Sequence, residues 1–348
     1  MKKPCVILIG LAAIAAISSN QTCRADIQYH LIKEIPVPGE TKWDYLSIDP
    51  ESSRLYVAHG SEVTVIDTTQ NAVVNDAITN TPGVHGFAIA ADLQRGFASA
   101  GHANSVSIVD LSTLQTIGTV NTGENPDCVL FEPKTQEVYA FNGHSQSVTV
   151  FDATTGKVTA TTPLPGKPEF AAADPKAGRV YDNIEDQNEV VVLNTTSHQI
   201  AGLWPIAPGD SASGMALDAK HHHLFIGCHN NLMLMLSTKS GKVLASVPIG
   251  SGVDANAFDP KTDLAFASCG DGTVTIAKED GDTLTTVQTL KTEPGARTMA
   301  LDPVTHNIYL ATAEIDAAAA MPSAEKHERL KFVPGTFKIL VYGSGETP

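Results

Sequence analysis

The sequence predicts an all-β fold: a seven-bladed β-propeller whose blades are four-stranded and antiparallel. Three observations predict it. A unit of about 42 residues recurs seven times along the chain. Each copy is a series of short period-2 runs separated by Gly, Asn and Asp turns, the pattern of propeller blades. The two ends of the chain carry complementary fragments of one unit.

Taken in order, the chain opens on a segment that is not part of the repeat. Met1–Pro4 is short and basic, Val6–Ile17 is unbroken apolar residues or Gly, and a polar stretch ends at Cys23-Arg24-Ala25. Small residues one and three places before the expected cut mark a secretory signal over residues 1–25. The run is too short for a bilayer span, which takes about 20 apolar residues. The expectation is a periplasmic or secreted protein with no transmembrane segment, its residues 26–348 forming one domain. Three cysteines remain beyond the signal, Cys128, Cys228 and Cys269, with no CxxC or CxxCH among them. An odd count permits at most one internal disulfide and excludes a thioredoxin-like or c-type haem motif; small buried positions are expected for all three.

The first copy reads Leu46-Ser47-Ile48-Asp49-Pro50, a turn, Leu55-Tyr56-Val57-Ala58, a second turn, then Val63–Asp67. The leading hydrophobes of the second strand are Leu55, Phe97, Val138, Val180, Leu224, Leu264 and Ile308, spaced by 42, 41, 42, 44, 40 and 44 residues. In the third copy four strands are separable: A, Asp127–Phe131; B, Val138–Phe141; C, Val148–Asp152; D, Val158–Pro163. The turn Thr154–Lys157 joins C to D as a tight hairpin. Tyr29–Val37 reads as a strand D without A to C, and Phe337–Tyr342 as a strand C without D. The N-terminal strand is therefore expected to complete the seventh blade and remove the open edges.

The units RLYVAHGSEVTVIDTTQNAVV and EVYAFNGHSQSVTVFDATTGKVTATTPL resemble the YVTN-type repeats of bacterial YncE-like seven-bladed propellers, over nearly the whole of residues 26–348. The resemblance implies a secreted or periplasmic propeller, its relatives being variously binding, surface-layer or nucleic-acid-binding proteins. The repeated Trp-Asp ending of WD40 propellers and the blade tryptophan motif of quinoproteins are absent; the only tryptophans are Trp43 and Trp204.

Charge narrows the function. The chain carries 23 Lys and Arg against 38 Asp and Glu, a formal −15. The signal holds three basic groups and no acid, so the remainder stands at −18. That argues against phosphate-backbone binding, and 6% aromatic residues argue against single-strand stacking. In a propeller the D–A and B–C connections share the face at the mouth of the central channel. The residue five before each Asp49-equivalent is Asp44, Gly86, Asp127, Glu169, Ser213, Asp254 or Arg297, so four carboxylates and one arginine are expected to converge there. His85 adjoins the glycine. Converging carboxylates raise one another's pKa unless a cation offsets them. His85, Asp127 and Glu169 are thus the candidate ligands of one divalent metal, mixed imidazole and carboxylate donors suiting Zn, Mn or Fe. The B–C loops add Glu185, Asp271 and the recurrent histidines His59, His102, His144 and His229, each read first as a turn residue.

His221-His222-His223 falls in an A–B turn, on the opposite face, and reads as a solvated turn, since neighbours on a strand point to opposite sides. The last B–C connection carries an insertion, Glu314–Gly335, that geometry allows as a lid, with a short helix signalled at Ser323. GxSxG, HExxH, P-loop, GxGxxG and EF-hand patterns are missing. Two readings stay open. One is a propeller that binds a small molecule or protein partner at the channel mouth, through a metal or without one. The other is a metal-dependent, lactonase-like hydrolase, lyase or isomerase on the same face, with metal-activated water, Arg297 anchoring a carboxylate, and Glu185 or Asp254 as general base. A closed ring satisfies its own edges, so a monomer is expected.

Overall fold

The computed structural model describes Met1 and residues 28–74, 78–316 and 330–344. The expected signal beyond Met1, and the helix expected at Ser323, lie outside the described residues. Among these residues, seven sheets of four antiparallel strands make up the fold, and no α-helix is present. Blade 3 is Pro126–Glu132, Glu137–Asn142, Ser147–Asp152 and Val158–Pro163, within one residue of the expected bounds at each end. The seventh sheet combines Met299–Leu301, Ile308–Thr312 and Lys338–Gly343 with an outer strand from the other end of the chain, His30–Pro36. Each innermost strand A contacts the strand A of the blades on both sides, so the seven form a ring around a central channel.

The repeated carboxylates fix the turns. At the A–B turns, Asp49, Glu132, Asp218, Asp259 and Asp302 accept hydrogen bonds from the backbone N–H two residues on. At the C–D turns, Asp67, Asp110, Asp152 and Asn194 accept from the second and third N–H. This is the local bonding that makes Asp and Asn turn formers. Hydrogen bonds from Thr69, Ser112 and Thr155 hold the carboxyls of Asp67, Asp110 and Asp152 below the usual range. Every A–B turn also passes through one left-handed residue just before strand B: Ser53, Gln94, Gln136, Gly178, His222, Asp263 or His306.

The core is divided rather than central. Seven apolar clusters lie one at each junction between neighbouring blades. Strand B is buried on both faces, so its successive side chains serve alternate junctions. The repeated tyrosine locks neighbours together: Tyr56 of blade 1 stacks on Phe87 of blade 2 at 4.6 Å. Burying such a ring contributes about 2–3 kcal/mol. Cys128, Cys228 and Cys269 are free and buried, as small core residues.

Candidate functional site at the channel mouth

The residues that face the mouth are placed there by a backbone irregularity that recurs. In blades 2 to 6 the A–B ladder slips near the mouth end of strand A, between Val84 and Phe87, Pro126 and Val129, Pro168 and Ala171, Ala212 and Met215, and Val253 and Ala255. His85 and Gly86, Asp127, Glu169, Ser213 and Asp254 all lie inside these bulges. A bulge re-aims a side chain and interrupts pairing, which turns these residues out of the regular alternation. Blade 1 reaches the same level differently: Asp44 N–H donates to Ala58 O at 3.0 Å, and Tyr45 N–H to His85 O of blade 2 at 3.0 Å.

The expected residues divide into three groups. In the first, His85 Nδ1 lies 2.7 Å from Asp44 Oδ2 and 3.7 Å from Asp127 Oδ1. One donor atom from each of the three falls within 4.8 Å of the other two. In the second, Lys167 Nζ lies 3.0 Å from Glu169 Oε2 and 2.5 Å from Glu185 Oε2, with His229 Nε2 4.0 Å from Glu185 Oε1. In the third, Arg297 Nε lies 3.1 Å from Asp254 Oδ2, and Ser213 Oγ donates to Asp254 Oδ1 at 3.4 Å. The imidazole therefore sits with Asp44 and Asp127, whereas Glu169 sits with a lysine. Asp271 plays a local part. Its oxygens accept from Ser251 N–H at 2.8 Å and Thr273 Oγ1 at 2.7 Å, tying its loop to the preceding connection. His59 is buried between Thr64 Oγ1 and Glu40 O.

Four contributors carry no clear signal in the sequence. Lys167 stands two places before Glu169, a spacing that shares a strand face. Tyr45 lies among the carboxylates and meets Phe170 of blade 4 edge-on at 5.0 Å. Burial, then the charges of Glu169, Asp127, Asp254 and Asp44, keep its hydroxyl protonated. Asp182, in strand B of blade 4, is fully buried with no hydrogen-bond partner on either oxygen, and burial and Glu169 push its pKa well up. Asn125 flanks His85 on its Nε2 side, where Gly101 leaves room: a Cβ there would meet Nε2 at 2.8 Å and Asn125 Oδ1 at 2.7 Å.

Electrostatics follow from crowding. Burial works against the His85 cation, but the Asp44 hydrogen bond and the Asp127 charge outweigh it and raise the imidazole to about 9. Burial and the Asp44 charge push Asp127 up to about 6, with His85 opposing. Burial and Asp127 push Glu169 up to about 8 despite Lys167. Burial likewise raises Asp254 against the pull of Arg297. Asp44, Asp127, Glu169, Glu185 and Asp254 thus gather with His85, Lys167 and Arg297 around one opening. At its edge, Phe332 from the end of the insertion packs on Trp43 at 4.8 Å, one residue before Asp44.

No protein-family model matches the chain, and no curated protein does. Solved structures do resemble it. A chain of Kuenenia stuttgartiensis hydrazine synthase is 16% identical with a TM-score of 0.71, covering 79% of this chain and 94% of that one. A chain of a mitotic checkpoint complex is 13% identical with a TM-score of 0.74, covering 98% of both. At these identities the likeness is one of fold, and it makes this protein a seven-bladed β-propeller.

Proposed function

We propose that the protein is a binding propeller whose channel mouth holds a divalent transition metal at Asp44, His85 and Asp127 and presents it to a small oxygen-bearing ligand. The observation that carries this reading is the excess of carboxylates around one half-buried imidazole, with three donor atoms inside 4.8 Å. Clustered carboxylates in low dielectric demand a counter-charge, and one imidazole with two carboxylates suits a zinc-like ion. Three protein donors leave a coordination position open toward the mouth. Lys167 and Arg297 flank it, each a donor to an anionic group. The YVTN-type resemblance and the export signal expected over residues 1–25 support a periplasmic or secreted setting, where such an ion is met directly.

The ion must displace the proton that His85 otherwise holds, because metal ligation takes neutral imidazole. Uptake therefore strengthens from pH 6 to pH 9, with about one proton released per ion at neutral pH. Calorimetric titration of untagged protein with zinc, in two buffers of different ionisation enthalpy, reads both quantities. His85→Ala is expected to lose one equivalent, while Glu169→Gln retains it. Equal uptake by wild type and His85→Ala would refute the mouth site.

A further inference from the structure

The opposite face carries a second cluster that the mouth does not explain. We infer that Asp218, His221 and Glu279 form a zinc-class metal site, positioned by His223, that clamps blade 5 to blade 6. Asp218 ends strand A of blade 5, His221 lies in the following turn, and Glu279 lies near the end of strand C of blade 6. One donor atom from each falls within 4.8 Å of the others. The expectation of a solvated histidine turn is corrected here. His222 is the left-handed residue of the turn, with φ 67°. Its two neighbours both reach Glu279: His223 Nδ1 at 2.5 Å and His221 Nδ1 at 3.7 Å from Oε1. His223 is itself buried.

Two observations point to a ligand rather than to a self-contained ion pair. The Glu279 side chain is only 2% exposed, yet its Oε2 is buried with no donor, and the Asp218 carboxyl lies against the same side chain, a contact that calls for a shared proton or a cation. The same side chain, with Lys220, His221, Asp263, Asp280 and Gly281, lines a hollow of about 190 Å³. Buried carboxylate oxygens are ordinarily partnered, and a cation is the partner that a carboxylate between two histidines would take. His221 Nδ1 stands 3.7 Å from Oε1, the oxygen that His223 already holds, which leaves Oε2 as the oxygen free for the ion. His221 Nδ1 also lies 2.5 Å from Asp218 Oδ2, the hydrogen bond that the ion replaces. His223 stands behind the ligands, donating to the Glu279 carboxylate and fixing its orientation. Lys278 is engaged by Asp263 at 2.9 Å and does not compete for Glu279.

The test is zinc titration in a His85→Ala background, which removes the imidazole of the mouth, with far-UV circular dichroism to verify the fold. One zinc is expected to bind, raising the unfolding temperature. Adding His221→Ala, a change at an exposed side chain, weakens binding at least tenfold and abolishes the thermal shift; adding His222→Ala changes neither. Adding Glu279→Gln weakens binding while His223 keeps an acceptor. Zinc uptake that survives His221→Ala, or that falls equally with His222→Ala, would overturn the site. If wild type and the His85→Ala variant titrate alike, with one equivalent lost on His221→Ala, this site stands and the mouth reading fails.

Discussion

The turn carboxylates and the mouth carboxylates come from the same seven repeats, yet they are in opposite condition. At the A–B turns, Asp49, Asp259 and Asp302 are saturated by the N–H and hydroxyl groups of the next few residues. Five places before the repeat aspartate, the residue type changes from blade to blade, and the carboxylates there face one another across the opening. Asp127, Glu169 and Asp254 are crowded and desolvated, and each holds its proton more tightly than an ordinary carboxylate. A charge that its own turn satisfies is scaffold. A charge left to be satisfied by something across the ring is where we propose that a ligand binds.

Removing one carboxylate of each kind separates the two conditions. Asp259 is fully buried, accepts from Lys261 N–H and Thr262 Oγ1, and lies 2.8 Å from His306 Nδ1. Asp259→Ala is expected to destabilise the fold by about 3 kcal/mol in urea unfolding at pH 7, since it leaves buried partners unpaired. Glu169→Gln is expected to do the reverse, stabilising by about 1–2 kcal/mol at pH 9 by removing a crowded buried charge. A loss of stability in both variants would show that the mouth carboxylates are structural after all.

The same residue sets a pH dependence. Glu169 is held at about 8 in the folded protein against an ordinary 4.5, so the folded state binds its proton more tightly than the unfolded chain. Its contribution is fully present below about 4.5, declines as pH rises toward 8, and is lost above that. The unfolding temperature of the metal-free protein should therefore fall between pH 5 and pH 9, and Glu169→Gln should flatten that fall. Parallel curves for the two proteins would contradict the assignment.

Smaller effects come from the supporting residues. Gly101→Ala forces a methyl against His85 Nε2 and Asn125, and should lower zinc affinity at the mouth about tenfold, or about 1.4 kcal/mol, with little change in the fold. His222→Gly relieves a left-handed conformation carried by a residue with a Cβ, and should stabilise by about 0.5–1 kcal/mol in urea unfolding.

Legibility in the sequence follows the same division. The blades are readable because the turn aspartates and the buried strand B residues act within about ten residues of themselves, so each copy repeats its own reason for folding. Counting back from the Asp49-equivalents also picks out Asp44, Asp127, Glu169, Asp254 and Arg297, which the fold gathers around Tyr45. Their grouping is not readable, because it depends on bulges and on partners from other blades. Spacing alone cannot show that His85 meets Asp44 or that Asp254 meets Arg297. Tyr45 and Asp182 are hidden for the same reason. So is Glu279, which gives the histidine triplet its meaning from 56 residues away.

A crystal of untagged protein soaked with zinc and measured at the zinc absorption edge decides whether the mouth carboxylates gather around an ion. An anomalous peak within bonding distance of Asp44, His85 and Asp127 is predicted, absent in His85→Ala. Full soaking with no peak at the mouth, or a peak there that persists in His85→Ala, would contradict a metal held by these three residues.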